Sequence, residues 1–156
     1  MGQDRSVGRK GHWYLEVWWR HSDLLLVVDL RNSEGIISLL CTIAEDVIPV
    51  GHAKIAAAIV YKKEIISIGV CSYQTHPLQK HYARNSESIY LHAEIDAIIK
   101  AKRHNIPLSK CDLYVARVKR PSPFSTMFIT GLARPCEGCW KAIQEYNIRN
   151  VIYTEG

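Results

Sequence analysis

Leu91-His92-Ala93-Glu94-Ile95-Asp96-Ala97-Ile98 and Pro135-Cys136-Glu137-Gly138-Cys139 are the two stretches on which the reading of this 156-residue chain turns. The first opens a segment, Leu91 to His104, whose apolar residues Leu91, Ile95, Ile98 and Ile99 have helical spacing. Lys100, Lys102, Arg103 and His104 fall in its last turn, where cations suit the helix dipole. The second opens a helical segment, Cys136 to Tyr146. A Cys-x-x-Cys at a helix start puts two sulfurs on one side of the first turn, where thiolates gain from the N-terminal dipole. One imidazole and two thiolates make three zinc ligands. A catalytic zinc takes three protein ligands and keeps a fourth position for water, whereas a structural zinc wants a fourth ligand. Glu94, two residues after His92, approaches the same place without taking the metal. A carboxylate there can accept a proton from a water made acidic by zinc.

Working outward, apolar Ile36, Leu39, Leu40, Ile43 and Val47 predict a helix over 36–48, stopped by Pro49 and Gly51. Ile55–Tyr61 and Ile65–Cys71 are apolar runs about a polar turn, Lys62-Lys63-Glu64, and read as a hairpin. Ser72 to Ser88 reads as polar and irregular, Leu113–Val118 as a strand, Lys119–Arg134 as a long loop and Val151–Thr154 as a last strand. Helix, hairpin, helix, strand, helix, strand is the order of a three-layer α/β domain. Ahead of it, the first ten residues read as loose, and Trp13 to Leu30 as two short β pieces joined around Arg20–Asp23. Arg31-Asn32-Ser33-Glu34-Gly35 reads as a turn or linker. The division expected is an N-terminal extension, 1–35, and a catalytic domain, 36–156. Trp13, Trp18 and Trp19 suit packing or an oligomer interface, with base stacking as the sharper idea.

Hydrophobic residues at 47% and charged residues at 22% exclude wholesale disorder. No apolar run approaches the roughly 20 residues of a bilayer span, and no secretory leader is recognisable, so a cytoplasmic location is expected. Cys41, Cys71 and Cys111, in or beside apolar runs, read as buried thiols. Residues 1–35 carry five basic and five acidic side chains, so the formal net charge of +5 belongs wholly to residues 36–156. That suits an anionic substrate and permits nucleic acid without demanding it.

His-x-Glu followed by Pro-Cys-x-x-Cys, each opening a helix, is the known signature of zinc deaminases. With Gly69 after the second strand, Leu113-Tyr114-Val115 before the cysteines and Ile148–Tyr153 after them, residues 36–154 resemble the zinc-dependent cytidine and deoxycytidylate deaminases. Thr75-His76-Pro77-Leu78-Gln79 is most similar to phage and bacterial deoxycytidylate-deaminase-like proteins. The resemblance implies a three-layer α/β/α cytidine-deaminase-like fold with a central mixed sheet. It implies one catalytic Zn2+ per chain on His92, Cys136 and Cys139, Glu94 as the catalytic proton carrier, and Ala93 as a backbone contact to the base. The expected reaction is hydrolytic deamination of a cytosine nucleotide, deoxycytidylate by preference, by a homo-oligomer. Two departures accompany it. Cys71 or Ser72 stands where relatives often place a sugar-binding Asn, and the chain ends after the fourth predicted strand where many relatives continue. The sheet edge left there would invite pairing, so Leu24–Leu30 or a partner subunit is expected to cover an edge.

In the loop Gln74–Ser88, Arg84 first and Lys80 second are candidates for a 5′-phosphate, because Arg gives bidentate phosphate contacts. Ser72 joins them as a substrate contact. Phe124–Arg134 is a candidate lid or subunit contact. His76, His81 and Cys71 are the alternative ligands of a second zinc. Two other functions stay open: the same chemistry on cytosine or adenine in single-stranded nucleic acid or tRNA, and a silent zinc-binding regulatory module, for which Glu94 has no use.

Overall fold

The computed structural model describes residues 32–85 and 89–156, and the backbone of three strands before them. Those strands are β1 (Arg5–Gly8), β2 (His12–Trp18) and β3 (Leu25–Asp29). They form an antiparallel sheet of order β1-β2-β3. The two β pieces expected on either side of Arg20–Asp23 are therefore β2 and β3, while Arg5–Gly8, expected to be loose, is a strand. Of the stretch expected to cover an edge, the described residues Leu25–Asp29 pair with β2 and not with the central sheet. The side chains of Trp13, Trp18 and Trp19 lie outside the described residues.

The central sheet is built from β4 (Lys54–Tyr61), β5 (Glu64–Val70), β8 (Asp112–Lys119), β9 (Ile129–Gly131) and β10 (Asn150–Tyr153). Its order is β10-β8-β4-β5, with β9 also on β8. β10 runs parallel to β8 and the other pairings are antiparallel, so the sheet is mixed. β4 lies inside it and is buried on both faces, which is why Ile55–Tyr61 reads as an unbroken apolar run rather than an alternating one. Its alternate residues serve two cores. Ala56, Ala58 and Val60 face Ile36, Leu40 and Ala44 of α1 (Ser33–Asp46). Ala57 and Ile59 face Ile95 and Ile98 of α3 (Ala93–Ala101) and Ala142 and Ile143 of α4 (Glu137–Glu145). Helix, sheet and helices make the three layers expected.

Local chemistry explains where the elements differ from expectation. α1 starts at Ser33 because Asn32 is its N-cap, its side chain accepting the Gly35 N–H at 2.7 Å. Residues 32–35 of the expected turn are thus the cap and first turn of the helix, and a division at 35/36 falls inside it. Lys62 and Lys63 both have positive φ, 47° and 66°, the two-residue turn that matches strand twist. Ser72–Ser88 is more ordered than expected. It contains β6 (Ser72–Thr75), paired with β7 (Tyr90–Leu91), and the short helix α2 (Pro77–Tyr82). Pro77 opens α2, and His76 caps it by accepting the Leu78 N–H on Nδ1 at 3.0 Å. The expected long loop 119–134 gives up three residues to β9, which pairs Ile129 with Lys119.

β5 is an edge strand, and α3 closes it. Asp96 Oδ2 accepts the Val70 N–H at 3.0 Å, Lys100 Nζ donates to the Ile68 carbonyl at 3.1 Å, and the two side chains pair at 2.7 Å. The helix sits unusually close there. A Cβ on Gly69 would lie 2.2 Å from the Ala93 carbonyl oxygen and 2.3 Å from the Ala97 nitrogen. Among the described residues no helix is long and apolar enough to cross a membrane.

Candidate metal centre and active site

Two helix N-termini meet at one point. His92 is the N-cap of α3 and Cys136 the N-cap of α4, where its sulfur accepts the Cys139 N–H at 3.5 Å. The loop entering α4 is tied to the sheet, since Ala133 N–H donates to the Thr154 carbonyl at 2.9 Å and Thr154 N–H to that of Val115 at 3.1 Å. His92 Nδ1 lies 3.5 Å from Cys136 Sγ and 3.4 Å from Cys139 Sγ. Zinc bonds of about 2.3 Å to sulfur and about 2.0–2.1 Å to nitrogen at a tetrahedral angle require an N···S separation of about 3.5 Å. The donors are therefore spaced for zinc, and soft thiolates with an imidazole suit it. His92, Cys136 and Cys139 could hold the ion, and among the described residues they are the group that gathers for one. Three donors leave a tetrahedral ion one position open.

The electrostatics favour an ionised sulfur. Cys136 is brought down to about 3, first by the hydrogen bond from the Cys139 thiol and then by His92, against its own partial burial. Cys139, buried behind it, keeps its proton in the metal-free protein, because it is the donor to Cys136 and because burial opposes a second charge. His92 is raised, chiefly by its hydrogen bond to Cys136. Glu94, 5% exposed, is raised by burial, so its carboxyl holds a proton more readily than an exposed one. Ala93, between the ligand and the carboxyl, is buried, with its carbonyl directed at Gly69.

The remaining expected residues are spread around this centre. Ser72 pairs in register with Leu91, one residue before His92. Lys80 is exposed beside an open cavity lined by Ala83, Asn85 and Ile89. Arg84 is exposed, with Nε 3.9 Å from the Glu137 carboxylate at the start of α4. The second-zinc set does not assemble. His76 spends Nδ1 on its cap, Cys71 is buried with its thiol on the Ala53 carbonyl at 3.5 Å, and His81 stacks edge-on against Tyr82. Cys111 is buried, as expected, whereas Cys41 is only half-buried. One contact escaped the sequence reading: the buried Gln79 side chain accepts the His92 N–H on Oε1 at 3.0 Å. A glutamine in a polar stretch carries no periodic signal, and only its lone position in a six-residue helix marks it.

Comparison with known proteins follows from this geometry. A search of curated proteins finds no match. Among solved structures, the dCMP deaminase of cyanophage S-TIM5 shares 19% identity over 79% of this chain and 82% of its own, with a TM-score of 0.54. Guanine deaminase from Bacillus subtilis shares 24% identity over 80% of this chain and 64% of its own, with a TM-score of 0.50. At such identities both likenesses speak for the fold. The family model of the cytidine and deoxycytidylate deaminase zinc-binding region matches residues 30–155, nearly the whole chain and both ligand segments. The chain belongs to the cytidine and deoxycytidylate deaminase zinc-binding family, hydrolases of C–N bonds in cyclic amidines.

Proposed function

We propose that this protein hydrolyses the exocyclic amine of cytosine in a free pyrimidine nucleotide, deoxycytidylate by preference, giving the uracil nucleotide and ammonia. The observation that carries the reading is Glu94, a carboxyl buried beside a centre of three metal ligands and raised by that burial. Zinc, when bound, supplies Lewis acidity that lowers the pKa of a water from about 15.7 to about 7. Glu94 takes one proton of the attacking water and hands it to ring N3 as the C4–O bond forms, then takes the remaining proton from the C4 hydroxyl and gives it to the amine as C4=O forms and the C4–N bond breaks. A buried carboxyl suits this alternation, because its two protonation states lie closer in energy near neutral pH than those of an exposed one. His92, Cys136 and Cys139 hold the ion, and the backbone at Ala93 meets the edge of the base.

The nucleotide preference rests on charge. The whole excess of +5 lies in residues 36–156. Arg84 makes a long, exposed ion pair with Glu137, which costs little to exchange for a phosphate. Lys80 stands on the same segment, and Ser72, paired with Leu91 next to His92, is our candidate for the sugar contact. Exposed Phe124, Met127 and Leu132 support the reading of 124–134 as a lid or a contact in a homo-oligomer.

Ammonia release across cytidine, deoxycytidine, CMP, dCMP, adenosine, guanine and single-stranded DNA tests the substrate. The expected order puts dCMP first. Turnover confined to guanine, adenosine or the polynucleotide would replace this reading.

A further inference from the structure

The short helix α2 supplies no metal ligand, yet it touches both segments that do. Gln79 accepts the His92 backbone N–H at 3.0 Å. One turn on, Tyr82 lies against α4. A Cβ on Gly138, between the two cysteines, would stand 2.1 Å from the Tyr82 carbonyl oxygen, so the two backbones are in direct contact. The Tyr82 hydroxyl also donates to the Glu145 carboxylate at the far end of α4. Gln79 and Tyr82 are 3% and 7% exposed and, three residues apart, share one face of the helix. The helix is itself pinned at its start by His76 and Pro77.

We propose that α2 is a clip that sets the distance between the two halves of the metal centre, with Gln79 as its positioning residue. His92 and Cys136 are 44 residues apart in sequence, and His92 makes no capping bond through its own side chain. It follows a strand of only two residues. Its place is therefore open to adjustment unless another element fixes the backbone. Gln79 does this from one side while Tyr82 bears on Gly138 from the other. The N···S separations suited to zinc thus exist before the ion arrives, because one rigid turn of helix spans the gap. Groups that orient metal ligands commonly change metal affinity or activity about 10- to 100-fold when lost.

This inference rests on the three-ligand zinc reading, and the test separates the two. Zinc affinity is measured by competition with a chromophoric chelator for the parent, Gln79→Leu, Gln79→Met, Gln79→Glu, Tyr82→Phe and the double variant Gln79→Leu/Tyr82→Phe. Each protein is also loaded with Co2+ and its visible bands recorded. Gln79→Leu removes the acceptor and should weaken zinc about tenfold and alter the cobalt bands. Gln79→Glu keeps an acceptor oxygen in the same shape and should stay close to the parent in both. Tyr82→Phe should weaken zinc less, and its effect should not add in full to that of Gln79→Leu, since both loosen one clip. A folded Gln79→Leu with parental affinity and cobalt spectrum, a Gln79→Glu as weak as Gln79→Leu, or full additivity would each overturn the proposal. If Gln79→Leu does not fold, Gln79→Met, which keeps the length without the acceptor, decides, and parental zinc affinity there overturns it. A parent that binds no zinc at all refutes the metal reading itself, a different result.

Discussion

Glu94 and the three ligands sit within one turn of two helix starts, yet their substitutions should separate cleanly. Glu94→Ala should keep close to one zinc per chain and lose about 10²- to 10⁴-fold in turnover, as removal of a proton carrier does. Metal analysis beside an ammonia assay checks it, and equal loss of zinc would make Glu94 a ligand. The cluster of His92, Cys136 and Cys139 was legible in the sequence because the spacing of these residues at helix starts carries metal-binding chemistry by itself. Gln79 was not, since its role comes from a hydrogen bond to a backbone 13 residues away that no local pattern records. Arg84, Lys80 and Ser72 were legible only as residue types. Where they lie is set by how α2 and β6 fold, and the sequence reading had neither element.

The elements divide along the same line. α3, α4 and the β4–β5 hairpin follow from the pattern of apolar residues and were read to within about three residues. α2 is too short for a period, and β9 is three residues whose strand character comes from pairing with β8. The start of α1 was misread because Asn and Ser favour turns and N-caps by the same side-chain chemistry. Gly69 is the point where element packing is least forgiving. Gly69→Ala would drive a methyl group into the backbone of α3, at a cost of at least about 1–3 kcal/mol for such overpacking. Chemical denaturation should show that loss, with zinc affinity falling as α3 moves. At the other side of the sheet, Asp112 receives Arg149 and Asn150 across the β8–β10 pair and fixes its parallel register. Its carboxyl is held below the usual value, first by the hydrogen bond from Arg149. Because the folded value is the lower one, the stabilisation is complete above about pH 4 and is lost as pH falls through the folded value. The stability gap between the parent and Asp112→Asn should therefore be level from pH 5 to 8 and close in acid. A gap that widens below pH 4 would contradict it.

For the whole molecule, the metal is a structural load as well as a chemical one, because it ties α3 to α4 within one layer of the fold. An ion at about a hundred times its dissociation constant adds about 2.7 kcal/mol. Stripping it with a chelator should lower the melting temperature by roughly 5–10 °C, reversibly on zinc return. Cys139→Ala should start from the lowered value and no longer respond to zinc. The three-layer order was legible in the sequence because helices and strands alternate. The sheet pairing of the N-terminal segment was not, since nothing local fixes which strands meet.

The seal that Asp96 and Lys100 place on β5 has a consequence in time. The β4–β5 hairpin is complete some thirty residues before the chain reaches these two side chains, so its outer rim is open throughout that interval. The hazard of strand-to-strand association thus belongs to the partly made or refolding chain and not to the finished one. Crowding, synthesis rate and refolding concentration should therefore weigh more on the forming chain than on the native one at Ile68–Val70.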